Sequence, residues 1–225
     1  MSMQQLVLDI GLATSPTLGN FFAGQNQAAL QHVQQAVVDT GRPLQTYLWG
    51  EPATGKTYLL RAVREAYRMQ AAQVGWLDPS VYEPPEFDDS WAAVLLDDVH
   101  LYNPAQQHMA FKWFVNAQTC NCWVLGAGDV PPADLALRED LRTRLGGGHV
   151  FALQVLSEDE RRAVLRREAQ ARGLVLSDEV VDFMLRRFSR DLGSLMQLLE
   201  HLDRYALQTQ RAITIPLVKS MLETI

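Results

Sequence analysis

The eight residues Gly50-Glu51-Pro52-Ala53-Thr54-Gly55-Lys56-Thr57 form a complete G-x-x-x-x-G-K-[ST] pattern, and each fixed position has a mechanical reason. The glycines let the backbone curl so that successive N–H groups converge on one anion. Lys56 reaches the β- and γ-phosphates of a bound nucleotide, and Thr57 offers a hydroxyl to its Mg²⁺. Pro52, Ala53 and Thr54 complete the cradle, and Tyr58 stands at its exit. A helix that begins here turns its positive end towards the same charge.

Three further positions fit nucleotide chemistry. Val94-Leu95-Leu96-Asp97-Asp98 is an apolar run that ends in two acids. Asp97 then emerges beside the phosphates, where it can hold the Mg²⁺ shell. Asp98 is placed to polarise an attacking water, a role more often given to Glu; being one methylene shorter, it predicts slow hydrolysis. Asp129, in Gly126-Ala127-Gly128-Asp129, closes another apolar run and can meet the water or the γ-phosphate. Arg142 and Arg144 precede a later strand, where an arginine can project towards a neighbour's nucleotide and offset charge on the transferred phosphoryl group.

These residues need a scaffold that gathers them. Tyr47-Leu48-Trp49 reads as a strand entering the loop, and Tyr58 to Val63 as a helix with an apolar face leaving it. Strands are predicted near 44–49, 73–77, 92–97, 122–127 and 149–154. Helices are predicted near 25–38, 56–70, 104–118 and 131–143. Such alternation implies an α/β fold, a parallel sheet with helices on both faces and the nucleotide at the carboxyl ends of the strands.

The pattern changes after Gln154. Ser157-Glu158-Asp159-Glu160 is a capping box, and its helix ends at Gly173. A second helix begins at Ser177-Asp178-Glu179, a third spans about 189–208, and Pro216 sits in the first turn of a short fourth. The expected domains are an N-terminal arm at 1–19, a nucleotide-binding base at 20–156 and an all-α lid at 157–225. The acidic, proline-bearing stretch from Asp78 to Asp89 reads as a solvated loop.

Composition bounds the partners. The 225 residues are 48% hydrophobic, enough to bury on the order of 70% of the unfolded chain's surface. The net charge is −6, and residues 1–156 carry nine Lys/Arg against fifteen Asp/Glu, whereas 157–225 carry eleven of each. An acidic body argues against autonomous nucleic-acid binding, which relies on neutralising phosphates. No apolar run is long enough to span a bilayer, and residues 1–20 lack the features of a signal peptide, so a cytoplasmic protein is expected, with no membrane partner. Cys120 and Cys122 are too close for a good disulfide and too few for zinc; both are expected reduced. His100 and His108 read as surface or capping residues, and Trp76, Trp91, Trp113 and Trp123 as core or rim. The arginine pairs 161/162, 166/167 and 186/187 read as a solvated helix face, matched by acids in the same region.

Taken together, the motifs resemble the AAA+ ATPases, and within them the branch related to the replication initiator DnaA. Asn20-Phe21-Phe22-Ala23-Gly24 looks like the adenine-side motif, with Phe22 at the nucleotide. Gly128-Asp129-Val130-Pro131-Pro132 looks like the sensor 1 segment. Asp140 to Leu145 looks like box VII, with Arg144 at the arginine-finger position, and Ala212 to Lys219 looks like the end of the lid. Gln5-Leu6-Val7-Leu8-Asp9-Ile10 is similar to the peptide that binds the bacterial sliding clamp, the DNA polymerase III beta subunit. An extended segment presents Leu6, Leu8 and Ile10 to an apolar groove while Gln5 hydrogen-bonds at one end.

That peptide, and a chain that stops after the lid without a DNA-binding domain, direct the resemblance to the small DnaA-related regulators. It implies a protein that binds ADP or ATP with Mg²⁺, joins the clamp and so reaches DNA indirectly, and stimulates ATP hydrolysis by DnaA through Arg144. Its own hydrolysis would be secondary. An arginine finger demands a neighbour, which leaves a homo-oligomer open. The sensor 2 position falls on Gly193, which has no side chain to reach phosphate; Arg190, three residues earlier, is the available substitute. The alternative reading is a stand-alone ATPase that loads a helicase or remodels another replication protein, which would have no use for a clamp peptide.

Overall fold

The computed structural model describes residues 16–39, 44–187, 192–209 and 211–222. Five short strands carry the expected apolar runs: β1 (Gln45–Trp49), β2 (Val74–Leu77), β3 (Ala93–Leu96), β4 (Trp123–Gly128) and β5 (His149–Ala152). They form one sheet in the order β2-β3-β4-β1-β5, and every pairing is parallel. Parallel neighbours need crossovers: α2 (Lys56–Met69), α3 (Pro104–Thr119) and α4 (Glu139–Gly146) supply those after β1, β3 and β4, while a helix-free stretch joins β2 to β3 and α1 (Gln27–Val38) precedes the sheet.

Strand alternation divides the core into two layers. Leu48, Ala93, Leu95, Leu125 and Ala127 face α1 and α2, where they meet Leu30, Val33, Leu59, Leu60, Val63 and Tyr67. Tyr47, Val94, Leu96 and Val124 face the other way, against Trp113 and Phe114 of α3 and Leu141 and Leu145 of α4. β3 and β4 are buried on both faces, as central strands of a covered parallel sheet should be.

The C-terminal lid is helical: α5 (Glu158–Ala171), α6 (Asp178–Arg187), α7 (Leu192–Thr209) and α8 (Ile215–Leu222). Its own core gathers Leu165, Val181, Met184, Leu199, Leu202 and Val218. Both halves of the Ser157 capping box form, Glu160 N–H donating to Ser157 Oγ at 3.2 Å and Ser157 N–H to Glu160 Oε2 at 2.8 Å.

Two expectations need correction. The helix expected over 131–143 does not begin there. Pro131 is extended, as a residue before proline prefers, a 3-10 turn covers Pro132–Asp134, and α4 starts only at Glu139. α4 also runs past the expected end at 143 to Gly146, so Arg144 as well as Arg142 rides on it, just ahead of β5. The stretch from Asp78 to Asp89 is not simply solvated. Gln106, almost fully buried, donates to the carbonyls of Asp78, Pro79 and Val81. Trp113 donates to the Pro85 carbonyl, and Val81 and Phe87 pack on the second layer. Carbonyls drawn against a core need donors, and α3 provides them.

Candidate functional site

β1 lies between β4 and β5 while the chain leaves it towards β2, so the winding reverses at β1 and β4. A crevice opens at the carboxyl ends of such strands. The loop from Gly50 to Gly55 leaves β1 at this point. Gly50 takes φ +154° with the Leu153 carbonyl 2.4 Å from where a Cβ would stand. Gly55 takes φ +93° at the N-cap of α2, and a Cβ there would lie 2.8 Å from the Phe21 ring. A side chain at either position would fill the cradle or break its curl. Pro52 and Ala53 are exposed on the loop, and Ala53 also has positive φ. Thr54 is buried, its hydroxyl donating to the Glu51 carbonyl at 3.0 Å.

Lys56 is only 5% exposed. Its Nζ donates to the carbonyls of Gly50 at 2.7 Å and Glu51 at 3.0 Å, and lies 3.0 Å from Asp129 Oδ1. Thr57 Oγ1 donates to Asp97 Oδ1 at 3.1 Å. Asp97 follows β3 and is buried; burial, followed by the charge of Asp98, pushes its carboxyl up to about 6, although the Thr57 hydrogen bond pulls the other way. Two hard oxygens side by side, one on a buried carboxylate, fit a divalent cation, which would offset the cost of that burial. Thr57 and Asp97 would hold it.

Asp98 takes the left-handed conformation, φ +48°, and starts a 3-10 turn. That turn brings His100 back towards β4, with Nε2 3.2 Å from Asp129 Oδ2 and Nδ1 buried without a partner among the described residues. Asp98, His100 and Asp129 present ligand atoms within 4.8 Å of one another. His100 was expected at the surface or at a cap, and this is a correction. The signal was its place two residues after the acid pair, within one tight turn of Asp98. His108 is exposed as expected, with Nδ1 3.2 Å from Arg138 Nη1. Tyr47 supports Asp129 from below, its hydroxyl donating to the Val130 carbonyl at 3.0 Å.

On the other side of the loop, the ring centroids of Phe21 and Tyr58 are 5.8 Å apart. Phe22 is half-buried beneath the guanidinium of Arg167, whose carbon is 5.7 Å from the ring centroid. Of the six arginines read as a solvated face, Arg162, Arg166 and Arg186 pair with Asp182 and Asp178, acids of the same region as expected, whereas Arg167 also reaches outside the lid to the Asn20 carbonyl.

Arg144 stands apart from this constellation. It sits in the last turn of α4, where Nη1 donates to Gln118 Oε1 at 2.8 Å and the guanidinium carbon lies 5.1 Å over the Phe111 ring. Arg138 approaches the same ring at 5.6 Å. Gly193 lies in the first turn of α7. Arg190 and the clamp-type residues Gln5, Leu6, Leu8 and Ile10 lie outside the described residues.

A phosphate-type loop after β1, acids after β3, a polar tip after β4 and a C-terminal helical lid are the architecture of the AAA+ proteins. Solved structures agree on the fold. Domain III of the replication initiation protein DnaA from Thermotoga maritima superposes with a TM-score of 0.74 at 19% identity, over 92% of this chain and 95% of that one. AMPPCP-bound DnaA from Aquifex aeolicus gives 0.68 at 21% identity, over 82% of this chain and 64% of that one. RuvB from the same Thermotoga species gives 0.62 at 14% identity, over 88% and 69%.

In sequence, residues 158–222 match the family model of the Hda lid domain. An uncharacterized protein of Haemophilus influenzae is 31% identical over 231 residues, covering 97% of this chain and 98% of that protein. The chain belongs to the Hda-like, DnaA-related family of AAA+ proteins.

Proposed function

We propose that this chain is a nucleotide-bound negative regulator of chromosomal replication initiation that acts on DnaA. One observation carries the reading. The nucleotide-type groups Lys56, Thr57, Asp97 and Asp129 are gathered around one loop, while Arg144 is presented on the outer face of α3 and α4, bonded to Gln118 and not to that loop. Such a division suits a protein that holds its own nucleotide, ADP in this reading, as a conformational ligand and offers a cation to a neighbour's. The AMPPCP-bound state of a DnaA relative supports nucleotide binding.

The loop's N–H groups and Lys56 hold the phosphates. Thr57 and Asp97 would hold Mg²⁺, which would supply positive charge to offset that of the phosphates. Phe22 and Tyr58 flank the nucleoside. Gln5, Leu6, Leu8 and Ile10 dock the arm on the DNA-loaded sliding clamp, so contact with DNA is borrowed through the clamp. Arg144 enters DnaA's nucleotide site and stabilises charge on the transferred phosphoryl group, converting the ATP form to the ADP form.

The test is hydrolysis of ATP already bound to DnaA, with this protein, ADP and clamp loaded on DNA. Arg144→Ala is expected to remove the stimulation, a loss on the order of 10³-fold, without changing this chain's own ADP affinity. Gln5→Ala with Leu6→Ala is expected to remove the clamp dependence. No stimulation by the unmodified chain would overturn the reading in favour of a helicase loader or remodelling ATPase.

A further inference from the structure

Away from the nucleotide-type crevice, α1 meets the sheet at a small polar knot. His32, on α1, lies over β5: its ring centroid is 4.5 Å from that of His149 and 5.0 Å from that of Phe151. Those two residues are two apart on the strand and so share one face. β5 is the last strand of the sheet, paired only with β1, and His149, Val150 and Ala152 are exposed. The His32 ring is thus a contact between α1 and an exposed edge strand.

Hydrogen bonding selects the state of that ring. His32 Nε2 is 2.9 Å from Thr46 Oγ1, on β1 directly beside His149. Thr46 is only 3% exposed, and its hydroxyl already accepts from the Trp123 indole Nε1 at 3.0 Å. An indole N–H only donates, and a hydroxyl has one proton to give. Neutral His32 accepts that proton at Nε2 and keeps its own on Nδ1. A protonated ring would aim a second donor at the same oxygen, and the buried hydroxyl proton would lose its acceptor.

The surroundings offer no compensation among the described residues. Thr46 on β1 and Trp123 on β4 are uncharged, as are Ala28, Ala29, Gln35 and Ala36, one turn away on α1. The titratable group that acts on His32 is His149, a like charge when both rings are protonated. Burial, then His149, holds the His32 imidazole below its ordinary 6.5. In acid the unfolded chain therefore binds the extra proton first. This share of stability is whole above about pH 6.5 and is lost as pH falls through the folded value.

We propose that His32, Thr46 and His149 form an acid-sensitive latch, in which a proton on His32 breaks its bond to Thr46, opposes His149 and frees β5 from α1. The strand so released continues into Leu153, whose N–H donates to the Trp49 carbonyl at 2.7 Å and whose carbonyl closes on Gly50. Acid is read at the edge of the sheet and felt beside the loop, whether or not the loop binds nucleotide.

Imidazole NMR and hydrogen exchange of the full chain without nucleotide, from about pH 5 to about pH 8, test the latch. His32 is expected to titrate below 6.5 and, in His149→Gln, to rise by about half a pH unit. The β5 amides, corrected for intrinsic exchange, are expected to lose protection at least about tenfold between about pH 7.5 and about pH 5.5. His32→Gln keeps an acceptor for Thr46 and takes no charge, so it should hold that loss within about twofold. Comparing variant and parent at the same pH removes the share of Asp97, which titrates in the same range. A His32 midpoint at or above 6.5, or an equal loss of β5 protection in parent and His32→Gln, overturns the inference. Should His32→Gln not fold, His149→Gln carries the same comparison, and a loss undiminished there overturns the latch equally.

Discussion

Lys56 Nζ lies 3.0 Å from Asp129 Oδ1 while donating to the carbonyls of Gly50 and Glu51. The cation that should meet phosphate is bound to its own loop and to an acid from the neighbouring strand. A bound phosphate must take over these donors, and a terminal phosphate would then share the crevice with the Asp129 carboxylate. Asp129→Asn keeps the shape and removes the charge. It is expected to raise ATP affinity at least about threefold relative to ADP, read by competition titration at fixed ionic strength. An unchanged ATP-to-ADP ratio would place Asp129 outside electrostatic reach of the terminal phosphate.

Lys56→Ala removes the cation itself. Nucleotide affinity is expected to fall at least about hundredfold, with a folded chain by circular dichroism. Retained binding would mean that the loop's backbone N–H groups suffice.

Asp97 makes stability depend on pH in a direction opposite to most carboxylates. Its folded pKa is raised to about 6 from 3.8, so in this window the folded chain keeps a proton that the unfolded chain has released. Its favourable contribution is present below about pH 4 and is lost as pH rises through about 6, on the order of 3 kcal/mol at most. Asp97→Asn is expected to abolish that part of the slope and to melt higher than the parent at pH 8 without nucleotide. Denaturant titration between pH 4 and 8 measures both. A parent stability that rises through this window, with no difference in Asp97→Asn, would contradict the assignment.

The gathering of the candidate residues was legible in the sequence wherever one short run of chain builds it. Gly50 to Thr57 needs only a strand before it and a helix after it, and Leu96-Asp97 needs only a buried strand to end. His100 was not legible, because its approach to Asp129 depends on the left-handed turn at Asp98, a backbone choice that an Asp residue does not announce. Arg167 was not legible either, because its partners Asn20 and Phe22 come from the far end of the chain. The late start of α4 followed from Pro131 preceding Pro132, a local cue that the helical spacing of the following residues concealed.

The Ser157 cap sets where the lid begins. Ser157→Ala loses the bond to the Glu160 N–H and exposes the first turn of α5. A loss of about 1 kcal/mol is expected, seen as a lower melting temperature. Ser157→Asp, which can still accept that bond, should recover most of it.

Arg144 is held by two weak contacts, not one strong one. Gln118 Oε1 accepts from Nη1, and Phe111 lies under the guanidinium, with Arg138 also over that ring. No carboxylate pairs with Arg144 among the described residues. In the proposed role, a finger aimed at a partner's phosphoryl group benefits from this arrangement. A salt bridge would have to be broken on docking, whereas an amide and a ring orient the guanidinium at little cost. Phe111→Ala and Gln118→Ala are therefore expected to lower stimulation of DnaA's ATP hydrolysis by about three- to tenfold each, far less than Arg144→Ala. Neither should change this chain's own ADP affinity. Introducing a competing acid, Gln118→Glu, should be worse than Gln118→Ala, because it ties the finger down. If Gln118→Glu stimulates as well as the parent, Arg144 does not act by leaving this face.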